Sequence, residues 1–153
     1  MGSGNCGLYQ SLPQSVSRVI RISFPISAVE HASVGEFTST NRLKSGGHGQ
    51  AGIEELERRG IDYVIEKTFS NGVRSGYVPY HSQPFKRKSG GQLWFPKDWS
   101  ETDIRRAGRA VLKAHKGKIK NGTMITGWYN GVRVGIIVNG GQIKTVFPTK
   151  EQE

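Results

Sequence analysis

Two histidines in the first third of the sequence have surroundings that could support acid–base chemistry. His31 follows Glu30 and precedes Gly35-Glu36, and His48 lies in the glycine-rich run 45–49. Glycines on both sides of His48 permit positive φ angles and a close approach of the backbone to a ligand. Imidazole can act as an acid or as a base, because its pKa lies near neutrality. The two histidines are therefore candidates for one catalytic pair.

Cleavage of RNA at the 2'-hydroxyl is a reaction that requires two such groups. A base takes the proton of the 2'-hydroxyl, and an acid protonates the leaving 5'-oxygen. A cation or a polar donor must also stabilise the charge on the phosphorane. The sequence has no Cys/His zinc pattern and no tight cluster of carboxylates, which favours a route without metal or cofactor. A metal-dependent nuclease stays open as an alternative, because Glu30, His31 and Glu36 lie close together.

The other two histidines are predicted to have structural or surface roles. His115 lies beside Lys113 and Lys116 at the end of a predicted helix. The helix dipole favours a cation there, which is typical of a structural histidine. His81 lies in a proline-flanked loop, where it could contact a ligand, but it is predicted to be a surface side chain.

The net charge indicates a polyanionic partner. The chain has 22 Lys and Arg against 12 Asp and Glu, a formal charge of +10, and a domain this basic most often meets nucleic acid. The run Lys86-Arg87-Lys88 could follow phosphates, and Tyr77 and Tyr80 beside it could stack on bases. A non-catalytic RNA-binding module would have the same features and is the main alternative. No segment has the roughly 18–20 apolar residues of a membrane span, and the lone Cys6 excludes an internal disulfide.

The elements that must position these residues follow an α+β pattern in one domain. Residues 1–14 are interpreted as a flexible linker or an expression-derived start, and residues 15–150 as a single domain. Residues 15–27 could form a helix or a strand. Helices are predicted over 51–59, with Gly60 as the stop, and over 101–114, with Ser100 as the N-cap and Asp103 close to a capping box. Loops are predicted over 38–49 and 79–91.

Strands account for most of the remaining chain. They are predicted over 62–69, 73–78, 93–95, 124–129, 132–138 and 142–147. Two-residue Asn-Gly turns at 130–131 and 139–140 predict a three-stranded antiparallel meander, and Asn71-Gly72 predicts another hairpin. Asn-Gly-Val-Arg occurs at 71–74 and 130–133, which suggests one hairpin solution used once in each of two sheets. Trp94, Phe95 and Trp99 are predicted to pack the second helix on a sheet.

Several motifs occur in the order typical of one family. Glu30-His31, Gly35-Glu36 and Gly46-Gly47-His48 are followed by a closing strand, 141–148, in which a Thr precedes an aromatic residue and a Pro. This set resembles the EndoU endoribonuclease family. Segments 45–50, 67–68, 71–74 and 92–97 resemble its bacterial branch, so that the resemblance covers roughly residues 28–149.

The resemblance implies a fold and a reaction. The fold would be α+β, with two antiparallel β-sheets flanking an active-site cleft and a few short helices, as in ribonuclease A. The reaction would be transesterification to a 2',3'-cyclic phosphate and a 5'-hydroxyl. His48 would be the base and His31 the acid, although the sequence does not decide which is which. Thr145 would place its hydroxyl against the substrate, and Phe147 would stack on a nucleobase.

Two departures from the family concern the third catalytic group and the base preference. The family has a catalytic lysine before its second-half helix, and no lysine of this chain falls cleanly on that position. Gln92, Lys86, Lys88 and Lys67 are the candidates, with Lys86, Lys88 and Gln92 also predicted to bind substrate. Phe147 lacks the hydroxyl of many relatives, so the resemblance implies no uridine preference.

The resemblance also implies a biological setting. Bacterial EndoU-like domains often form the C-terminal toxin tips of large secreted or cell-surface proteins, including those of contact-dependent growth inhibition. A toxin of this kind would act as a monomer in the target-cell cytoplasm, with tRNA as its leading substrate. An immunity protein would protect the producing cell, and the charge of +10 predicts an acidic one.

Overall fold

A computed structural model describes residues 21–152, so the predicted linker over 1–14 lies outside the described residues. The described helices are α1 (Ile26–Ser33), α2 (Gln50–Arg58) and α3 (Glu101–Ala114), and a 3₁₀ helix spans Pro84–Arg87. The described strands are β1 (Glu36–Phe37), β2 (Leu43–Ser45), β3 (Val64–Thr68), β4 (Arg74–Tyr77), β5 (Gln92–Trp94), β6 (Met124–Tyr129), β7 (Val132–Asn139) and β8 (Gln142–Pro148). Within residues 21–152, no helix is long and apolar enough to cross a membrane.

The predicted meander is confirmed as an antiparallel sheet in the order β6-β7-β8. Asn130 and Gly131 both have positive φ, 48° and 78°, as a two-residue hairpin turn requires. The second turn is one residue later than predicted. Asn139 still pairs with Gln142, so Gly140 and Gly141 form the turn with φ of 58° and 73°.

A bulge in β8 decides which of its side chains face the core. Ile137 pairs with Thr145 but Val138 pairs with Ile143, which leaves Lys144 as an extra residue. Ile143 and Val146 are buried in the core. Thr145 and Phe147 therefore lie on the opposite face, although Ile143 and Thr145 are only two positions apart.

The second sheet has the order β3-β4-β5. The predicted two-residue turn at Asn71-Gly72 is wrong, because the Phe69 N–H donates to the Val73 carbonyl and three residues, 70–72, form the loop. Only Gly72 of this loop has a positive φ, +94°. The Asn-Gly-Val-Arg motif occurs once in each sheet, but the prediction of one shared hairpin solution is wrong, because the first copy lies in a three-residue loop and the second in a two-residue turn. The two copies touch. The Asn71 side chain donates a 3.0 Å hydrogen bond to the Gly131 carbonyl.

Two segments differ from their predictions at the N-terminal side of the fold. The predicted loop over 38–49 contains β2, which pairs with β1 because Leu43 turns inward and is buried. Within 15–27, the described part forms an isolated bridge at Ser23 and then enters α1 at Ile26, after Pro25. The fixed φ of proline suits a helix start, so Pro25 begins α1 rather than only interrupting the segment.

Two hydrophobic cores hold these layers together. α1 and α3 pack on the β6-β7-β8 sheet, and α2 packs against the other sheet with Leu56 and Trp94 in its core. Phe95 and Trp99 stack in the first core at 5.0 Å, so the predicted packing role holds for them, whereas Trp94 belongs to the second core. Ser100 and Asp103 form the predicted capping box at the start of α3.

Candidate active site

A cleft of about 610 Å³ separates the two larger sheets. It is bounded by β5 and the 3₁₀ helix on one side and by the outer face of the β6-β7-β8 sheet on the other. Five residues that the sequence marked as candidates line this cleft: His31, His48, Lys86, Thr145 and Phe147.

The loop that carries His48 is hydrogen-bonded to the end of the helix that carries His31. The N–H groups of Gly47, His48 and Gly49 donate to the carbonyls of His31, Ala32 and Ser33, at 3.0, 2.6 and 3.0 Å. The last carbonyls of a helix have no partner within the helix, so the loop satisfies acceptors that would otherwise be exposed. These bonds fix the backbones of the two histidines relative to each other.

Glycine is required where this loop approaches α1. Gly46 has a φ of +69°, and a Cβ atom built on it would lie 2.0 Å from the carbonyl oxygen of His31. Gly47 has a φ of +74°. No other residue type fits at Gly46 without moving the backbone of His31.

His48 presents one unprotonated ring nitrogen. Its Nδ1 lies 2.8 Å from the carbonyl oxygen of Leu93, which can only accept, so Nδ1 carries the hydrogen and Nε2 does not. Burial, and after it the charge of Lys86, lowers the pKa of His48 from 6.5 to about 3. His48 is therefore neutral at pH 7 and available as a proton acceptor.

His31 has a different environment in the same cleft. Its Nδ1 donates to the Glu36 carboxylate at 2.7 Å, and its side chain is 20% exposed. A carboxylate in this position orients the imidazole ring. Gly35, with a φ of +96°, turns the chain from α1 into β1 and so brings Glu36 beside His31.

Of the four candidates for the third catalytic group, Lys86 lies in the cleft. Its charge acts on His48, and burial lowers the pKa of its own ammonium. Lys88 is exposed and does not line the cleft. The Lys67 ammonium on β3 lies 4.3 Å from the centre of the Phe69 ring, also outside the cleft.

Gln92 is fully buried beneath the loop that carries His48. Its side-chain amide donates to the carbonyl of Gly46 at 3.1 Å, with Gly47 at 3.4 Å. The residue supports the backbone on which His48 is mounted and does not line the cleft.

The prediction of His81 as a surface histidine is wrong. Its side chain is fully buried, and burial lowers its pKa to about 4. Its Nδ1 accepts from the Gln83 N–H, and its carbonyl accepts from the Arg87 side chain. These bonds hold the turn that leads to Lys86. Loop composition gave no sign of this burial. The next residue fixes the loop on β2, because the Ser82 N–H donates to the Leu43 carbonyl.

The bulge of β8 turns Thr145 and Phe147 toward the histidines. The centres of the Phe147 and His48 rings are 6.1 Å apart. Phe147 lies over Gly135 of β7, where a Cβ atom would be 2.6 Å from the ring. Sequence reasoning did not identify the apolar cleft residues Phe85 and Met124, which are both more than half exposed.

The metal-dependent alternative rested on Glu30, His31 and Glu36, which are close in sequence. Among residues 21–152, no group of three or more His, Cys, Asp or Glu side chains is placed to hold a metal ion. Glu36, one of the three residues behind that alternative, bonds His31 instead.

The fold and the cleft define an α+β protein with a paired-histidine site. A family model for bacterial EndoU nuclease matches residues 27–150, so the chain belongs to the bacterial EndoU nuclease family. No curated protein matches the sequence at a significant level.

Two solved structures are similar at low sequence identity. Endoribonuclease Nsp15 of Middle East Respiratory Syndrome coronavirus is 13% identical with a TM-score of 0.47, over 80% of this chain and 33% of that one. XendoU, described as a splicing independent snoRNA processing endoribonuclease, is 20% identical with a TM-score of 0.49, over 78% and 45%. The chain therefore spans less than half of the length of either structure.

Proposed function

We propose that this protein is a metal-independent endoribonuclease that leaves a 2',3'-cyclic phosphate and a 5'-hydroxyl. The observation that carries the proposal is the contrast between two histidines in one cleft. His48 is neutral with a free Nε2, whereas His31 is paired with a carboxylate. Two like groups with opposite environments are suited to the roles of base and acid.

In the proposed reaction, Nε2 of His48 takes the proton of the 2'-hydroxyl. The 2'-oxygen then bonds to phosphorus and the bond from phosphorus to the 5'-oxygen breaks. His31 donates a proton to that oxygen, and its carboxylate partner Glu36 orients the imidazole. Lys86 stabilises the additional negative charge on the phosphorane. Thr145 and Phe147 hold the substrate through a hydroxyl and a stacking surface.

We also propose that the domain is the toxin tip of a secreted or cell-surface protein and that it cleaves tRNA in the cytoplasm of a target cell. The toxin would be a monomer, and an acidic immunity protein would bind it in the producing cell. Family membership and the charge of +10 support this setting. Sequencing the RNA ends formed when the domain is expressed in a cell tests it. Cleavage scattered over all RNA classes would contradict the tRNA assignment.

Incubation with RNA in EDTA tests the enzymatic proposal. We expect discrete products with cyclic-phosphate ends, and a loss of about 10²–10⁴-fold in rate for His48→Ala or His31→Ala. His115→Ala is the matched control, because His115 ends α3 and does not line the cleft.

Each alternative has its own result in the same assay. Intact RNA with salt-sensitive binding would indicate a non-catalytic RNA-binding module. Activity that is lost in EDTA and restored by Mn²⁺ would indicate a metal-dependent nuclease. Undiminished RNA cleavage by His48→Ala would contradict the proposed role of His48 as the general base.

A further inference from the structure

The outer face of the β6-β7-β8 sheet continues beyond the cleft. Even-numbered residues of β7, Val132 to Val138, are buried in the core, so odd-numbered ones face outward. Across the sheet, Met124, Ile137 and Thr145 form one outward row, and Thr126, Gly135 and Phe147 form the next. The following row pairs Trp128 with Arg133, and its third member is Thr149, whose N–H donates to the Arg133 carbonyl.

This last row combines an exposed aromatic ring with a cation. Trp128 is 50% exposed, although a tryptophan normally packs inside. The Arg133 guanidinium lies 5.6 Å from the centre of the Trp128 ring and donates to the Thr126 hydroxyl at 2.8 Å. Nothing in the proposed catalytic steps uses these two side chains. Proteins that bind single-stranded nucleic acid stack its bases on aromatic rings and contact its phosphates with basic groups.

The position of the pair fits a strand of RNA that leaves the cleft. Trp128 is two strands and two residues away from Phe147, which corresponds to about 12 Å between their Cα atoms at ordinary sheet spacings. The positions between them are occupied by Thr126 and Gly135, which have small side chains. The large side chain between the two aromatic rings is that of Arg133, whose guanidinium reaches Thr126 and so lies where a phosphate could contact it.

We propose that Trp128 and Arg133 form a second nucleotide subsite, for the part of a single-stranded RNA that extends beyond the cleaved linkage. A base stacks on Trp128 and a phosphate contacts the Arg133 guanidinium. The inference rests on the proposed endoribonuclease function. Continuity with the cleft and the cation at the ring favour RNA as the occupant over a protein partner.

Substrates of two lengths test the subsite. A dinucleotide fills the cleft without reaching Trp128, whereas a single-stranded octanucleotide reaches it. For Trp128→Leu we expect kcat/KM on the octanucleotide to fall by roughly 5- to 150-fold, the effect of losing one stacked base, with the loss confined to the long substrate. Trp128→Phe keeps a stacking surface and should recover most of the activity. Arg133→Gln should weaken the salt dependence of octanucleotide binding.

Binding of the octanucleotide to His48→Ala, with and without Trp128→Leu, separates the two proposals. If the wild type cuts neither substrate but binding still depends on Trp128, the endoribonuclease proposal fails and the subsite stands. If Trp128→Leu cuts and binds the octanucleotide like the wild type, the subsite is wrong. Equal losses on both substrates, or loss of a protein inhibitor's binding with RNA binding intact, would also overturn it.

Discussion

His48 and His31 are the same residue type with opposite surroundings. One ring is buried, bonded through Nδ1 to a carbonyl and near the charge of Lys86. The other is partly exposed and bonded to the Glu36 carboxylate. The difference comes from neighbours far apart in sequence, such as Leu93 and Lys86, so the sequence motifs around each histidine could suggest the pair but not the roles.

Lys86 and Lys88 also show that local sequence does not predict which side chain reaches the cleft. The two lysines lie two residues apart in one basic run, and composition treats them alike. The 3₁₀ helix, held by the buried His81 turn, directs Lys86 to the cleft and leaves Lys88 in solvent. No local pattern encodes that orientation.

We expect Lys86→Gln to lower kcat by about 10²–10³-fold, because in the proposed reaction the phosphorane would lose its cation. The same change should raise the pKa of His48, because Lys86 is one of the causes that lower it. The pH dependence of kcat/KM measures this pKa. Lys88→Gln is the control and should leave kcat and the pH profile unchanged. Similar effects of the two substitutions would contradict the role of Lys86.

Among the helices and strands, the features predicted from the sequence are those set by residues close together in the chain. The helix over 101–114 has its cap within four residues, and the meander has its turns in dipeptides. The bulge at Lys144 could not be read from β8 alone, because it is a property of the pairing with β7. The contact between residues 47–49 and α1 likewise joins two segments whose sequences carry no mutual signal.

Gly46 and Gly60 offer a matched pair for testing the contact with α1. Both have a φ of +69°, but a Cβ atom would meet the His31 carbonyl at Gly46 and nothing within 4 Å at Gly60. Gly60→Ala should lose roughly 1–2 kcal/mol of unfolding free energy from the left-handed backbone alone. Gly46→Ala should lose more and should also lower kcat, as urea titration and cleavage assays can measure. Equal losses of stability and unaltered kcat would argue against a tight contact.

At the scale of the whole molecule, two buried neutral histidines make folding sensitive to acid. The pKa values of His48 and His81 are about 3 and about 4 in the folded state, below the value of 6.5 in an unfolded chain. Below pH 6.5 the unfolded chain binds protons that the folded one does not, so stability falls with pH. Above about pH 7.5 neither residue contributes to the pH dependence.

We expect the free energy of unfolding to fall by about 2 kcal/mol for each of these histidines between pH 7.5 and pH 5. Urea unfolding at pH 7.5, 6.5 and 5 measures the loss. His81→Gln should reduce it by about half, even if its stability at pH 7.5 is lower, whereas His115→Ala should keep the wild-type slope. A stability that is level from pH 7.5 to pH 5 would show that the two side chains are not buried as neutral groups.

The three hydrogen bonds from residues 47–49 to the end of α1 also determine how the site opens. Helix ends fray easily, and loops usually open independently of them. Here the same three hydrogen bonds hold both the helix end and the loop. The last turn of α1 therefore cannot fray without releasing the backbone of His48. The loop likewise cannot leave α1 without exposing the carbonyls of His31 and Ala32. His31 and His48 therefore become disordered in a single local unfolding event, and each keeps its place for as long as the other.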